Sequence, residues 1–167
     1  MKENNKSRKD SKKSKMDSNS SRVILPIPPE LKRIAKEVVD SAFSVHSNLG
    51  PGLLESVYET CLLHELTKRG FSALRQIGFP LEYDGLTLNL GFRVDLLVEN
   101  SLIVEVKSVP ALAPVHAAQL LTYLKVTGCR LGFLMNFNVR SFEMGSIDSL
   151  SSTARLLPSR WDCFNSS

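Results

Sequence analysis

Cysteine is scarce in this sequence, and long hydrophobic runs are missing. The three cysteines, Cys61, Cys129 and Cys163, are scattered and form no CxxC pair, so neither a disulfide framework nor a zinc or iron–sulfur site is indicated. No apolar run approaches the length that spans a bilayer, and the N-terminus lacks the apolar core of a signal peptide. We therefore expect a cytoplasmic protein that does not enter a membrane.

An excess of positive charge is also missing from most of the chain, although the net charge is +4. Residues 1–21 hold seven basic and three acidic residues, and the rest of the chain holds 14 of each sign. We predict a disordered tail over residues 1–22, because it has too little apolar surface to offset its chain entropy. Such a tail either contacts phosphates non-specifically or only aids solubility.

The remaining sequence has the composition of a folded domain. The chain has 167 residues, of which 43% are hydrophobic and 23% charged, enough for one hydrophobic core. Helical periodicity predicts one helix that follows Pro28-Pro29 and ends near Asn48, with His46 as a surface or capping residue, and a second helix over residues 53–69. The predicted buried stripe of the second helix consists of Leu54, Val57, Tyr58, Cys61, Leu62 and Leu66.

Strands follow the two helices. A helix over residues 114–125 and a strand over residues 130–137 come next and predict a right-handed crossover. The pattern then decays, so we divide the chain into the tail, a domain over residues 23–140 and an extension of unclear structure over residues 141–167. Before the crossover, the predicted strands are residues 73–77, 79–83, 86–90, 90–98 and 102–107. Asp84-Gly85 is predicted to form a two-residue turn between two of them.

The hairpin between residues 91 and 108 holds the clearest candidate site. Pairing it about Asn100 places Asp95 opposite Glu105, with Lys107 on the same face. Carboxylates that face each other repel, and a divalent cation would remove this penalty, with oxygen ligands that suit Mg²⁺ or Mn²⁺. Two alternatives stay open: a solvated face with an ordinary Glu–Lys pair, and a one-residue slip that moves Asp95 to the other face.

Three motifs in order resemble a known family. Residues Gly52–Tyr58 match the GxxExxY signature, and Asp95 followed by Glu105-Val106-Lys107 matches the D…ExK core of PD-(D/E)XK nucleases. Gln119 and Tyr123 match the QxxxY element of RecB-type members. The sequence thus resembles the GxxExxY protein family within the PD-(D/E)XK superfamily, whose fold is restriction-endonuclease-like.

The resemblance implies an α/β core in which a mixed four- to five-stranded sheet is flanked by helices. It implies that Asp95, Glu105 and the carbonyl of Val106 hold Mg²⁺ or Mn²⁺. Glu55 would join them directly or through water, although a carboxylate in the first turn of a helix also suits the helix dipole alone. Oxygen ligands of this kind favour a hard divalent cation.

The other motif residues receive supporting roles from the same resemblance. Lys107 would position the attacking water or stabilise the charge of the phosphorane. Gln119 and Tyr123 would support the site or contact the nucleic-acid backbone. His116 is expected to make a structural hydrogen bond.

Three functions are compatible with these residues. The leading hypothesis is a metal-dependent nuclease that hydrolyses phosphodiester bonds in nucleic acid, because the motif residues Asp95, Glu105 and Lys107 are all present. DNA is favoured over RNA as its substrate. The second is a catalytically silent nucleic-acid or protein-interaction module on the same fold, which the net-neutral core favours. The third is a hydrolase of another phosphate ester. The basic residues that would face nucleic acid, if they cluster, are Arg69, Arg75, Arg93, Lys125 and Arg130.

Overall fold

A computed structural model describes residues 25–150 and 154–157 of the chain. The predicted tail over residues 1–22 and the chain end from residue 158 lie outside the described residues. The elements are α1 (Pro29–Leu49), α2 (Glu55–Lys68), β1 (Ala73–Tyr83), β2 (Leu86–Val98), β3 (Leu102–Lys107), α3 (Pro114–Thr127), β4 (Leu131–Asn136), β5 (Glu143–Asp148) and β6 (Ala154–Leu157).

The described strands form one mixed sheet whose spatial order, β1 to β6, follows the order of the chain. β3 and β4 pair in parallel, and α3 connects them, whereas the other neighbours pair antiparallel. The predicted α/β class with a mixed sheet flanked by helices is confirmed. The sheet has six described strands instead of four to five, because β5 and β6 continue it past the point where the sequence pattern decays.

Hydrophobic residues are buried on both faces of the sheet. α1 and α2 cover the face on which Leu102, Val104 and Val106 of β3 lie. α3 packs on the face of Leu97 and Ile103. Because side chains alternate along a strand, the odd-numbered polar residues at the end of β3 belong to the α3 side.

Close packing of α3 on β4 depends on a glycine. A Cβ atom at Gly132 would lie 2.8 Å from Cδ1 of Leu120, which is completely buried in α3. The missing side chain therefore lets the helix approach the strand to within direct contact.

The strand candidates before and after the first hairpin turn each merge into one longer strand. β1 and β2 are joined by Asp84 and Gly85, whose φ angles of 47° and 78° are those of a tight two-residue turn, as predicted. Within β1, Gln76 has a φ of 57°, and the pairing register with β2 shifts between Phe79 and Leu81. β1 is therefore continuous through Gly78, where the sequence predicted a break, and its irregular positions lie on either side of that residue.

The predicted buried stripe of α2 is only partly correct. Tyr58 and Leu62 are buried as expected, but Leu54 precedes the helix and is 74% exposed. Glu59 takes a place in the buried face instead, with 4% of its surface exposed. The residues that face the sheet follow the spacing i, i+4, i+8 from Tyr58, and Glu59 lies beside this row.

The prediction for His46 is wrong. This residue in the last turn of α1 is only 7% exposed, and its Nε2 lies 2.8 Å from the carbonyl oxygen of Val139. His46 also contacts the rings of Phe137 and Phe142, so it ties α1 to the segment between β4 and β5. No helix among the described residues is both long enough and apolar enough to cross a membrane.

Candidate active site

The loop before α2 delivers Glu55 to the site, and each motif residue of this segment has a local role. Gly50 and Gly52 have φ angles of 65° and 101°, a region that glycine adopts without strain. The Tyr58 hydroxyl donates to the carbonyl of Gly50 at 2.7 Å and accepts from the N–H of Leu53 at 3.1 Å. The glycines of this motif thus allow the loop conformation, and the Tyr58 hydroxyl in α2 holds the loop in place by hydrogen bonds. Glu55 is thereby placed at the start of the helix.

The β2–β3 hairpin has the predicted register. Leu96 pairs with Val104, which is pairing about Asn100, and one step further along the strands Asp95 comes opposite Glu105. The backbone pairing of the two strands ends at Leu96 and Val104, and just beyond it Asp95 Oδ2 accepts a hydrogen bond from the N–H of Val106 at 2.9 Å. The alternative of a one-residue slip is therefore wrong.

Glu105 is buried, with 2% of its surface exposed. Its Oε1 accepts a hydrogen bond from Nζ of Lys107 at 2.6 Å, whereas its Oε2 is buried with no hydrogen-bond partner among the described residues. Burial, reinforced by the negative charge of Asp95, raises the pKa of Glu105 to about 7. A solvated face with an ordinary Glu–Lys pair does not match this environment, since a buried carboxylate oxygen with no donor is costly.

Lys107 lies beside both carboxylates and is mostly buried. Burial opposes its charged form, but the hydrogen bond to Glu105 and the charges of Glu105 and Asp95 outweigh burial and raise the Lys107 pKa. The ammonium group therefore keeps its proton at neutral pH. It can donate hydrogen bonds and stabilise negative charge, but it cannot act as a base.

The second oxygen of Asp95 has a partner that the sequence did not indicate. Gln76 donates from Nε2 to Asp95 Oδ1 at 3.2 Å and to Glu59 Oε2 at 2.8 Å. Burial raises the pKa of Asp95 and also that of Glu59. The left-handed backbone of Gln76 costs about 1 to 3 kcal/mol for a residue other than glycine, and such strain is typical of functional sites.

Glu55, the first residue of α2, lies close to the end of β3 that carries Glu105 and Lys107. Its Oε1 accepts a hydrogen bond from the N–H of Ser108 at 3.0 Å, the residue directly after Lys107. The Ser108 hydroxyl donates to the carbonyl of Leu53 at 2.6 Å, so the end of β3 and the start of α2 are held together. A cavity of about 430 Å³ opens here. Its lining consists of Gly52, Leu53, Leu54, Glu55, Ser108 and Asn138.

Asn136 supports the same segment and was also missed. It is completely buried, its Oδ1 accepts from the N–H groups of Val109 and Asn138, and its Nδ2 donates to the carbonyl of Val109. The position of the chain after Lys107 is thereby determined. Nothing in the sequence distinguishes this asparagine from a turn residue after a strand.

Gln119 and Tyr123 lie together on α3, one turn apart. Gln119 Nε2 donates to the Tyr123 hydroxyl at 2.5 Å, and the Tyr123 ring stacks on Phe92 of β2 with 4.7 Å between centroids. Their described contacts are thus with each other and with β2, and the structure does not bring them into hydrogen bonds with the carboxylates. His116 accepts a hydrogen bond on Nδ1 from the N–H of Ala113, the structural role that was expected.

Three of the five candidate basic residues are engaged in contacts within the fold. Arg69 pairs with Glu37 and Glu65 of the helices. Arg75 hydrogen-bonds Thr60, and Arg130 pairs with Asp148 and donates to backbone carbonyls before α1. Arg69, Arg75 and Arg130 are therefore not available to form a basic groove for nucleic acid.

The donor set fits a divalent cation that keeps part of its water shell. In the described part of the chain, no three His, Cys, Asp or Glu side chains converge as a ready cage. Nevertheless, Glu105 Oε2 is buried without a hydrogen-bond partner among the described residues, and the charge of this carboxylate interacts unfavourably with that of Asp95. Mg²⁺ is usually bound by one or two carboxylates and several waters. Asp95 and Glu105 provide two carboxylates of the kind that such a site uses.

Comparison with known proteins gives one family. A family model described as the PD-(D/E)XK nuclease superfamily matches residues 32–147, which includes β5. None of the curated proteins matches the chain. A solved structure titled "Crystal structure of SSO0001" is 19% identical, covers 71% of this chain and superposes with a TM-score of 0.46. The matched region spans 60% of that solved chain.

Proposed function

Because the chain belongs to the PD-(D/E)XK nuclease superfamily, we propose that it is a metal-dependent nuclease that hydrolyses phosphodiester bonds in nucleic acid. The observation that carries the proposal is the buried Glu105 carboxylate, which has one oxygen paired with Lys107 and the other without a partner among the described residues. A purely structural strand end gains nothing from such a group, since a buried unpaired polar atom costs free energy.

Asp95 and Glu105 would hold Mg²⁺ or Mn²⁺ with the Val106 carbonyl, and Glu55 would join directly or through water. The hydrogen bond from the Val106 N–H orients Asp95 for this task. Glu55 is already fixed by the N–H of Ser108. A divalent cation at this position would lower the pKa of a bound water and neutralise the phosphate.

We assign to Lys107 the role of stabilising the negative charge that develops as water attacks phosphorus and the bond to the leaving oxygen breaks. Its ammonium group carries three protons, and one of them binds Glu105. The other two can orient the attacking water or hydrogen-bond a non-bridging oxygen in the transition state. Since its pKa is raised, Lys107 acts as a donor throughout.

Gln119 and Tyr123 are proposed to contact the nucleic-acid backbone or to support the site through Phe92. DNA is favoured over RNA as the substrate. The cytoplasm is the proposed compartment, in agreement with the free thiols of Cys61 and Cys129.

Metal binding is the first test, because a negative cleavage assay can also reflect the wrong substrate. We expect Mn²⁺ to bind the wild-type protein in calorimetry and to bind Asp95→Asn far more weakly, since the amide removes one of the two charged ligands. If the wild type binds no Mn²⁺, even with an oligonucleotide present to complete the coordination, the proposed nuclease mechanism is wrong.

Cleavage is tested next on single- and double-stranded DNA and RNA. Lys107→Ala is expected to retain Mn²⁺ binding and to lower the cleavage rate by about 100-fold, the usual effect of removing a transition-state donor. Lys32→Ala, at an exposed lysine on α1, serves as the control and should cleave like the wild type. Equal rates for both variants would exclude Lys107 from the reaction.

A recognition module without turnover is the second candidate function. It is favoured by the zero net charge outside the first 21 residues and by the ion pair that neutralises Lys107. Oligonucleotide binding that survives the double substitution Asp95→Asn with Glu105→Gln, together with no cleavage by the wild type, would support this function over catalysis.

A further inference from the structure

A second polar chain, outside the motif residues, reaches the Asp95 carboxylate from α2. Glu59 lies one helical turn after Glu55, on a neighbouring part of the same helix face, and only 4% of its surface is exposed. Its Oε2 accepts a hydrogen bond from Nε2 of Gln76, and the same nitrogen donates to Oδ1 of Asp95. A continuous series of contacts thus links the helix that carries Glu55 to the strand that carries Asp95.

The amide orientation of Gln76 follows from its partners. Both acceptors are carboxylates, which accept and do not donate when ionised, so the NH₂ group of the side chain must face them. With both of its protons used in this way, Gln76 has no spare donor on that side. The side chain is therefore specified as a bridge between two acids.

The backbone of Gln76 is adapted to the same bridge. The flanking residues keep one register with β2, with Arg75 paired to Leu96 and Ile77 to Val94. Gln76 therefore lies across from Asp95 without an inserted residue, yet its φ of 57° is left-handed. Strained backbone persists where the surrounding contacts hold it in place, and it concentrates at functional sites.

We propose that Gln76, held by Glu59, is a positioning residue that fixes the Asp95 carboxylate for the divalent cation. This inference rests on the proposed metal site. Residues that hydrogen-bond a metal ligand determine its orientation and thereby the affinity for the metal. Gln76 is not a catalytic residue, since its described contacts are with Asp95 and Glu59.

The test combines Mn²⁺ calorimetry with thermal unfolding of the metal-free, full-length protein. Gln76→Gly removes the amide but accepts a left-handed backbone, so it should weaken Mn²⁺ binding about tenfold. Relief of the strained φ should offset part of the stability that is lost with the two hydrogen bonds. Gln76→Asn keeps an amide and tolerates the same φ, but it is one carbon shorter and should weaken binding similarly. A merely structural role predicts lost stability with unchanged affinity.

Asp84→Gly is the matched control, because Asp84 also has a positive φ, 47°, and lies in the exposed turn between β1 and β2. It should leave Mn²⁺ affinity unchanged. Glu59→Gln retains an acceptor oxygen for Gln76 and should keep most of the affinity. If it abolishes binding as Asp95→Asn does, Glu59 is itself a ligand, and the positioning role of Gln76 is overturned.

The outcomes separate this inference from the proposed function. Wild-type affinity in Gln76→Gly and Gln76→Asn, with binding lost in Asp95→Asn, would overturn the positioning role and leave the metal site intact. A wild-type protein that binds no Mn²⁺ would overturn both.

Discussion

The Glu105 carboxylate shows how burial at a single residue makes stability depend on pH. The folded protein holds a proton on Glu105 up to about pH 7, whereas the unfolded chain releases it near its ordinary pKa of 4.5. Between these values the folded state binds more protons, so a rise in pH favours unfolding. We expect metal-free protein to lose about 2 to 3 kcal/mol of stability from this group between pH 5 and pH 8.

Urea unfolding at several pH values checks this expectation, with Glu105→Gln as the comparison. The variant cannot ionise at this position, so the difference between its profile and that of the wild type isolates Glu105. Added Mn²⁺ should restore stability to the wild type at pH 8 and not at pH 5, because the cation competes with the proton. Parallel profiles for the two proteins would contradict the raised pKa.

Residues of the site were predictable where local rules determine them. Strand alternation and a turn centred on Asn100 were enough to place Asp95 opposite Glu105, and the register agrees. Glu59 and Gln76 were not predictable in this way. A glutamate on an amphipathic helix is usually solvated, and its burial here depends on β1 packing beside α2, which no local pattern reports.

Among the elements, the loop before α2 depends on one hydroxyl group. Tyr58→Phe keeps the ring, which stacks on Phe137 at 4.6 Å, but leaves the Gly50 carbonyl and the Leu53 N–H without their partner. We expect a loss of about 1 to 3 kcal/mol in unfolding free energy. Tyr83→Phe, at a residue that is 72% exposed, is the control and should change stability by less than about 0.5 kcal/mol.

The packing of α3 on β4 can be tested at Gly132. Gly132→Ala places a methyl group 2.8 Å from a buried leucine carbon, and overpacking of this kind costs about 1 to 3 kcal/mol. Thermal or urea unfolding measures the effect. Gly78→Ala in β1 has open space around the new methyl and should be neutral or slightly stabilising, so equal losses in both variants would argue against the packing explanation.

Elements with strong periodicity and clear ends were predicted well, and those that depend on tertiary pairing were not. α1 and α3 end close to the predicted residues, and the Asp84-Gly85 turn forms as expected. β5 lacks a regular alternation of buried and exposed residues, because the successive residues Met144 and Gly145 are both buried. It becomes a strand by pairing with β4 along its whole length.

For the whole molecule, the charge distribution makes a prediction about nucleic-acid binding. Outside the first 21 residues the net charge is zero, so non-specific affinity should come mainly from the basic tail. Deleting residues 2–22 is expected to flatten the dependence of binding on salt, by about 0.9 in logarithmic slope for each phosphate that the tail had neutralised. Fluorescence anisotropy with one DNA duplex at several salt concentrations measures the slope, and an unchanged slope would assign phosphate binding to the folded domain.

The order of the strands has a consequence for how the protein matures during synthesis. Since β1 to β6 lie side by side in the order in which they are made, the sheet can grow strand by strand as the chain emerges, N-terminal elements first. Because the β2–β3 hairpin precedes α3 and β4 in the chain, Asp95 and Glu105 can come together before those elements are made. In such an uncovered hairpin the two carboxylates would be hydrated, and their repulsion would be weak. The later elements would then bury these carboxylates, so their strong mutual repulsion would arise only when the site is complete.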